Sequence, residues 1–299
     1  MSRRPLDQTG MLLMVVLATI WAFGQAHLKW VADTIAPTLQ IGLRGFIGSA
    51  LILGLLAWRG QLSSISHFWR AGLMAGGLFA LEFYLVGESL RYTNASHMSV
   101  FLYTAPLFVA LGSHFVLQAE RLNRRQWIGI ALAFFGLAFS FLGGDNQTLD
   151  RRMLFGDALA LLAGAAWGAT TLVIRKSTLA EAPAMLTLFY QLSVSAVVIT
   201  AMAISSGQTA LVMGSALVVS LLFQGVILSF LSFWVWFSML KRYYAAQLGS
   251  FSFLTPILGV IFGTWLLDEQ LEPQFMIGGC AVIAGIAVVN LRSTGTKPR

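Results

Sequence analysis

The sequence predicts an all-α polytopic membrane protein: ten transmembrane helices as two inverted five-helix repeats, both termini cytoplasmic. Three observations predict it. Of 299 residues, 57% are hydrophobic and only 10% charged, against about 25% charged in a soluble domain. Apolar runs of about 20 residues, the length that spans a hydrocarbon core, recur between very short connections. The second half of the chain also repeats the first. Gly10, Trp21, Lys29 and Ala36-Pro37 match Gly156, Trp167, Arg175 and Ala182-Pro183 at an offset of 146. Arg91, Ala95 and Pro106 match Lys241, Ala245 and Pro256 at 150. Glu120, Leu122, Ile128, Gly129 and Gly136 match Glu269, Leu271, Ile277, Gly278 and Gly285 at 149. Residues 1–145 and 146–299 are therefore read as two repeats within one membrane domain.

The predicted helices cover 10–31, 36–57, 68–90, 95–117, 126–143, 155–175, 183–204, 212–239, 245–266 and 273–292. The first has no small-residue cleavage site and begins the repeat, so it is read as a retained helix and not a signal peptide. The connection around 144–154 is the longest, with a Gly-Gly-Asp-Asn stretch and Arg151-Arg152, and it joins the halves. The other loops are so short that sequential helices must be antiparallel neighbours. With the N-terminus inside, fourteen Lys and Arg residues fall on the cytoplasmic side and four (Lys29, Arg91, Arg151, Arg152) outside, with Arg44 inside a span. That bias orients both termini to the cytoplasm. Five spans per half, an odd number, put the second half upside down relative to the first. The net charge of +7 comes from basic residues scattered at span ends, which does not point to nucleic acid. The lone Cys280 can form no intrachain disulfide.

The stretch Leu90-Arg91-Tyr92-Thr93-Asn94-Ala95-Ser96 leads through Pro106 to Glu120. Its twin, Leu240-Lys241-Arg242-Tyr243-Tyr244-Ala245-Ala246, leads through Pro256 to Glu269. This pattern resembles the paired EamA-type domains of the drug/metabolite transporter superfamily, over nearly the whole chain. Within it the sequence looks like the bacterial inner-membrane exporters of amino acids, especially aromatic ones. The resemblance implies a ten-helix exporter with a central cavity walled by the first, third, fourth, sixth, eighth and ninth helices. It implies a small-molecule substrate and a lipid bilayer as partners, in a monomer or weak homodimer.

Charges inside a membrane are costly and so mark candidate functional groups. Arg44 and Glu82 each lie about eight residues inside the outer ends of helices 2 and 3, at similar depth at about 1.5 Å per residue. A pair between them either only fixes packing or places Glu82 at the cavity, as a proton carrier or a partner for a substrate ammonium. Tyr190 occupies the repeat position of Arg44, so the arginine has no charged twin. Glu88 is read as reaching the interface, Glu120 and Glu269 as capping or loop-pinning twins, and Lys29 as snorkelling. His27, His97 and His114 have no metal-ligand spacing, and neither metal nor cofactor is expected.

Trp21 and Trp167 are twins near mid-helix, away from the interface where tryptophans usually sit, and are read as opposing cavity walls. Tyr103 precedes Pro106 as Phe253 precedes Pro256. Phe79, Glu82 and Phe83 share one helical face at i, i+3 and i+4. Trp234, with Phe230 and Phe237, extends the aromatic surface, which suits an apolar or aromatic solute. Substrate-lining residues are thus expected to be Trp21, Phe79, Glu82, Phe83, Tyr103, Trp167, Trp234 and Phe253. Coupling or gating is expected of Glu82, Arg44, Pro106 and Pro256, the prolines by freeing carbonyls in mid-span beside Thr104 and Thr255. Gly72-xxx-Gly76 and Gly259-xxx-Gly263 allow close helix contact. No His-Glu-x-x-His, nucleophile elbow or Walker loop is present, which argues against an enzyme.

Overall fold

The computed structural model describes residues 5–116, 122–142, 151–243, 248, 251 and 254–290. Among these the chain is helical, apart from connections and an antiparallel bridge between Ile35 and Leu211. In the first half the helices are α1 Gln8–Trp30, α2 Pro37–Trp58, α3 Ser63–His67, α4 Trp69–Ser89, α5 Ala95–Leu102, α6 Ala105–Val116 and α7 Arg124–Leu142. In the second half α8 Arg151–Lys176, α9 Ala184–Ser205 and α10 Ser215–Leu222 are followed by a π-helical segment, Phe223–Ser232. Then come α11 Phe233–Arg242, α12 Leu254–Leu267 and α13 Pro273–Asn290. Among the described residues, seven segments are long and apolar enough to cross a membrane, and α12 and α13 contain two shorter apolar stretches.

The span predicted over 95–117 is broken in the middle. Pro106 has no N–H to donate to the Leu102 carbonyl, so α5 ends and a turn takes over. Thr104 N donates to Phe101 O at 3.2 Å and Leu107 N to Thr104 O at 2.8 Å. Gly164 of α8 lies over this turn. A Cβ there would meet Thr104 Oγ1 at 2.8 Å, Leu102 O at 2.9 Å and Phe101 O at 3.0 Å. Only glycine lets α8 approach the freed carbonyls this closely. Its twin Pro256 is buried in α12 beside Thr255.

Two acidic residues complete helix starts, one local and one distant. Asp7 caps α1 by accepting from Gly10 N at 2.8 Å. At α5 the local N-cap, Asn94, makes no side-chain cap. Glu269 does so from across the bundle, accepting from Ala95 N at 2.6 Å, Ser96 N at 3.0 Å and Ser96 Oγ at 2.7 Å. Lys29 Nζ stands 3.6 Å from the same carboxylate and donates to Thr93 O at 2.6 Å.

The packing comes in pairs that follow the sequence offsets. In the α7–α13 interface a Cβ on Gly129 would lie 2.8 Å from Gly285 O, and one on Gly136 2.6 Å from Gly278 O. The repeat exchanges these two contacts, since it relates Gly129 to Gly278 and Gly136 to Gly285. Gly10 packs on Tyr243, and its twin Gly156 packs on Thr93, which stands 150 residues before Tyr243. Likewise α1 packs on α12 as α8 packs on α5 and α6, and α2 packs on the π segment as α9 packs on α4. Small residues at these crossings let backbones approach where lipid offers no hydrophobic drive for helix association.

Candidate functional site

Glu82 lies on the inner face of α4, 4% exposed, and Arg44 faces it from α2 at 5%. They are electrostatic neighbours. The arginine's direct partner is nonetheless Gln224, to whose Oε1 its Nη1 donates at 2.7 Å. The guanidinium also lies 4.6 Å from the centroid of the Phe83 ring, a cation–π contact that is strengthened out of water. Glu82 Oε2 is buried and has no hydrogen-bond partner among the described residues. The π segment supports this arrangement, since its wider winding presents Gln224, Ser229 and Ser232 to the interior. Gln224 Nε2 donates to Gly24 O at 2.9 Å, and lies 3.3 Å from His27 Nδ1. One turn along α2, Gln40 donates to Ser220. A polar seam thus joins α1 and α2 to the second half.

The aromatic lining forms around it. Phe79 and Phe83 pack at 4.7 Å between centroids, and Tyr103 meets Trp167 edge-on at 5.3 Å. The turn before Pro106 presents Tyr103, 7% exposed, toward Glu82 and Thr255. Phe79, Glu82, Phe83, Tyr103, Trp167 and Arg44 therefore belong to one neighbourhood, built from α2, α4, the α5–α6 junction and α8. Trp21 lies along the π segment instead. Its Nε1 donates to Ser232 Oγ at 3.0 Å, and its ring packs on Phe233 and Trp236 at 6.1 and 5.6 Å. Ser232 stands 150 residues after Glu82, so Trp21 touches the polar counterpart of that carboxylate.

Trp234 is 39% exposed and has Phe230 as its ring neighbour at 5.6 Å. With Arg59, Met185 and Phe237 it lines a separate cavity of about 290 Å³. Phe253 and Glu120 lie outside the described residues. Glu88 is tied inward, accepting from Arg91 Nη1 at 2.8 Å and from Gln208. His27 packs among Phe23, Phe223 and Trp30. His114 accepts from Leu122 N at 3.0 Å. No cluster that could hold a metal occurs among the described residues.

Sequence reasoning missed two features. Gln40 and Gln224 are uncharged, but each is a long amide in an apolar run, which is itself a signal of internal hydrogen bonding. Asp157, 3% exposed, pairs with His97 Nδ1 at 2.9 Å and accepts from Thr93. The His97 ring stacks on Phe275 at 3.7 Å. An acidic residue two turns into a span was the available sign.

Known proteins resemble this chain in sequence and in fold. A Bacillus subtilis protein called uncharacterized transporter YoaV is 28% identical over 279 residues, covering 92% of this chain and 94% of its own. A Salmonella typhimurium protein called a probable amino-acid metabolite efflux pump is 21% identical over 288 residues, 92% of this chain and 93% of its own. A solved crystal structure superposes with a TM-score of 0.63 at 21% identity over 96% of each chain, a likeness of fold. The profile of the EamA-like transporter family matches residues 8–142 and again 154–291. The chain belongs to the EamA-like transporter family, an integral membrane protein whose business is transport.

Proposed function

We propose that the protein is a bacterial inner-membrane secondary transporter that exports small metabolites, chiefly amino acids including aromatic ones. In this reading ten spans form two inverted five-helix halves, 1–145 and 146–299, with both termini cytoplasmic. One half rocks against the other around the Glu82 neighbourhood. The carrying observation is the buried Glu82 carboxylate oxygen, without a hydrogen-bond partner among the described residues, set among Arg44, Phe83, Tyr103 and Trp167 where α4 meets α8. Aromatic faces with a buried cation and a buried anion nearby suit a solute with an apolar body and polar ends. The paired contacts Gly129–Gly285 and Gly136–Gly278 support the inverted arrangement, and the Lys/Arg bias supports the orientation. A relative's name, probable amino-acid metabolite efflux pump, supports the substrate class.

A second reading keeps the fold and exports cationic drugs. It is favoured by the same observation, because Glu82 forms no direct ion pair with Arg44. Efflux from reconstituted vesicles, with phenylalanine, threonine and tetraphenylphosphonium as probes, separates the two readings. Trp167→Ala and Glu82→Gln are expected to reduce efflux while membrane insertion stays intact. Unchanged flux in both variants removes this site.

A further inference from the structure

Among the described residues, several buried oxygens that make no well-formed hydrogen bond fall on one line. Besides Glu82 Oε2 they are Thr255 Oγ1, Ser99 Oγ and Gln25 Oε1. The line follows from the antiparallel packing of α5 on α12 beside α1. The Tyr103 hydroxyl reaches Thr255 and lies within electrostatic range of Glu82. One turn on, Ser99 packs against Gly259, and Gln25 Oε1 lies about 4.0 Å from where a Cβ on that glycine would stand. A further turn on, Ser96 packs against Gly263, and its hydroxyl donates to Glu269. Lys29, one turn beyond Gln25 on α1, ends the line with its side chain 28% exposed. Gly259 and Gly263 thus serve to seat serine hydroxyls within this chain.

A buried hydroxyl or amide oxygen left without a protein partner costs about 1–3 kcal/mol, and native structures keep few of them. Four on one line, ending at a buried carboxylate, form a file of groups that can exchange hydrogen bonds with a moving proton or water. Thr255 and Ser99 are 0% exposed and Glu82 is 4% exposed, so lipid does not solvate them. The charged and titratable groups facing Glu82 are Arg44 from α2 and Tyr103 from the α5–α6 junction. The other two helices packed on α4 add none at its depth. On α8 the basic residues lie in the end turns and Asp157, two turns in, is held by His97 of α5; α9 has no charge, and Tyr190 of α9 donates to Ile65 O.

We propose that this line is a proton access path from the outer face and that Glu82 is its terminal carrier, so that one proton moves inward for each solute molecule moved outward. The proton arrives along Lys29/Glu269, Ser96, Ser99/Gln25 and Thr255/Tyr103 and converts the Glu82 carboxylate to the acid. It leaves to the cytoplasm when the solute displaces it. This rests on the exporter reading above, including its orientation.

The test uses the full chain in vesicles, outer face outward, with an internal pH dye and labelled phenylalanine, threonine or tetraphenylphosphonium as probes. In wild type, acidifying the medium is expected to accelerate probe efflux, and efflux to acidify the lumen. Ser99→Ala and Gln25→Met, which leave the close packing in place, are expected to slow proton entry about tenfold, the rate equivalent of one hydrogen bond lost at the barrier. Counterflow without a pH gradient should stay within about twofold, because that exchange requires no net proton movement. Counterflow present but indifferent to a pH gradient overturns the proposal and leaves the exporter reading standing. Coupling undiminished in both variants overturns the path. No saturable flux of any probe overturns the exporter reading, and this proposal with it.

Discussion

Replacing Glu269 by alanine tests whether a helix start can depend on a residue 174 positions away. The carboxylate, 4% exposed, accepts three hydrogen bonds from the first turn of α5 and stands 3.6 Å from Lys29. Hydrogen bonds to a charged group contribute about 1.5–3 kcal/mol each, and the N-terminal dipole adds up to about 2 kcal/mol. These terms overlap. Removing one partner of a buried charged cluster typically costs about 3–5 kcal/mol, which we take as the expected loss. At about 2 °C per kcal/mol for a chain of this size, detergent-solubilised protein should melt about 6–10 °C lower. Glu269→Gln keeps one acceptor but turns an amide N–H toward an N–H, so about half that loss is expected. Lys29→Met should cost only about 1 kcal/mol, because the carboxylate keeps its three donors and the lysine is partly solvated. Thermal unfolding followed by circular dichroism gives the ranking. A Glu269→Ala melt within about 1 °C of wild type, or Lys29→Met as damaging as Glu269→Ala, would refute the capping argument.

Three further outcomes follow from the same geometry. Trp167→Ala removes the edge-on partner of Tyr103 and Glu82→Gln removes the buried charge, so vesicle efflux should fall about tenfold or more with normal insertion. Gly164→Val drives side-chain carbons into the Phe101 and Leu102 carbonyls, and should cost about 1–3 kcal/mol by overpacking, read as a lower melting temperature. Asp157→Ala strands the His97 ring nitrogen and the Thr93 hydroxyl in a buried place. It should destabilise by about 3 kcal/mol, while Arg152→Ala at the exposed start of α8 shifts the melt by far less.

Much of the fold was legible because membrane spans obey constraints that composition and spacing express directly. The apolar runs behind α1, α2, α4, α8 and α9 lie within a few residues of the predicted ends, since length and hydropathy decide a span. Pro106 announced a disturbance, but whether a helix bends or breaks depends on what covers the freed carbonyls. Here Gly164 from another helix does, and the span breaks. The π segment left no sign in the pattern 212–239, because winding is set by Ile47, Arg44 and Trp21 packing against it.

The sequence by itself determined that the chain is helical, membrane-spanning and internally repeated, and that Arg44, Glu82 and the twin tryptophans are exceptional. Each of these depends on residue type and spacing alone. Only the tertiary structure decided the partners. Arg44 turns to Gln224 and Phe83, Trp21 to Ser232, Trp234 to a separate cavity, and Glu269 to the start of α5. Such choices are made between residues far apart in the chain, where small differences in helix rotation and depth select one hydrogen-bond partner over another.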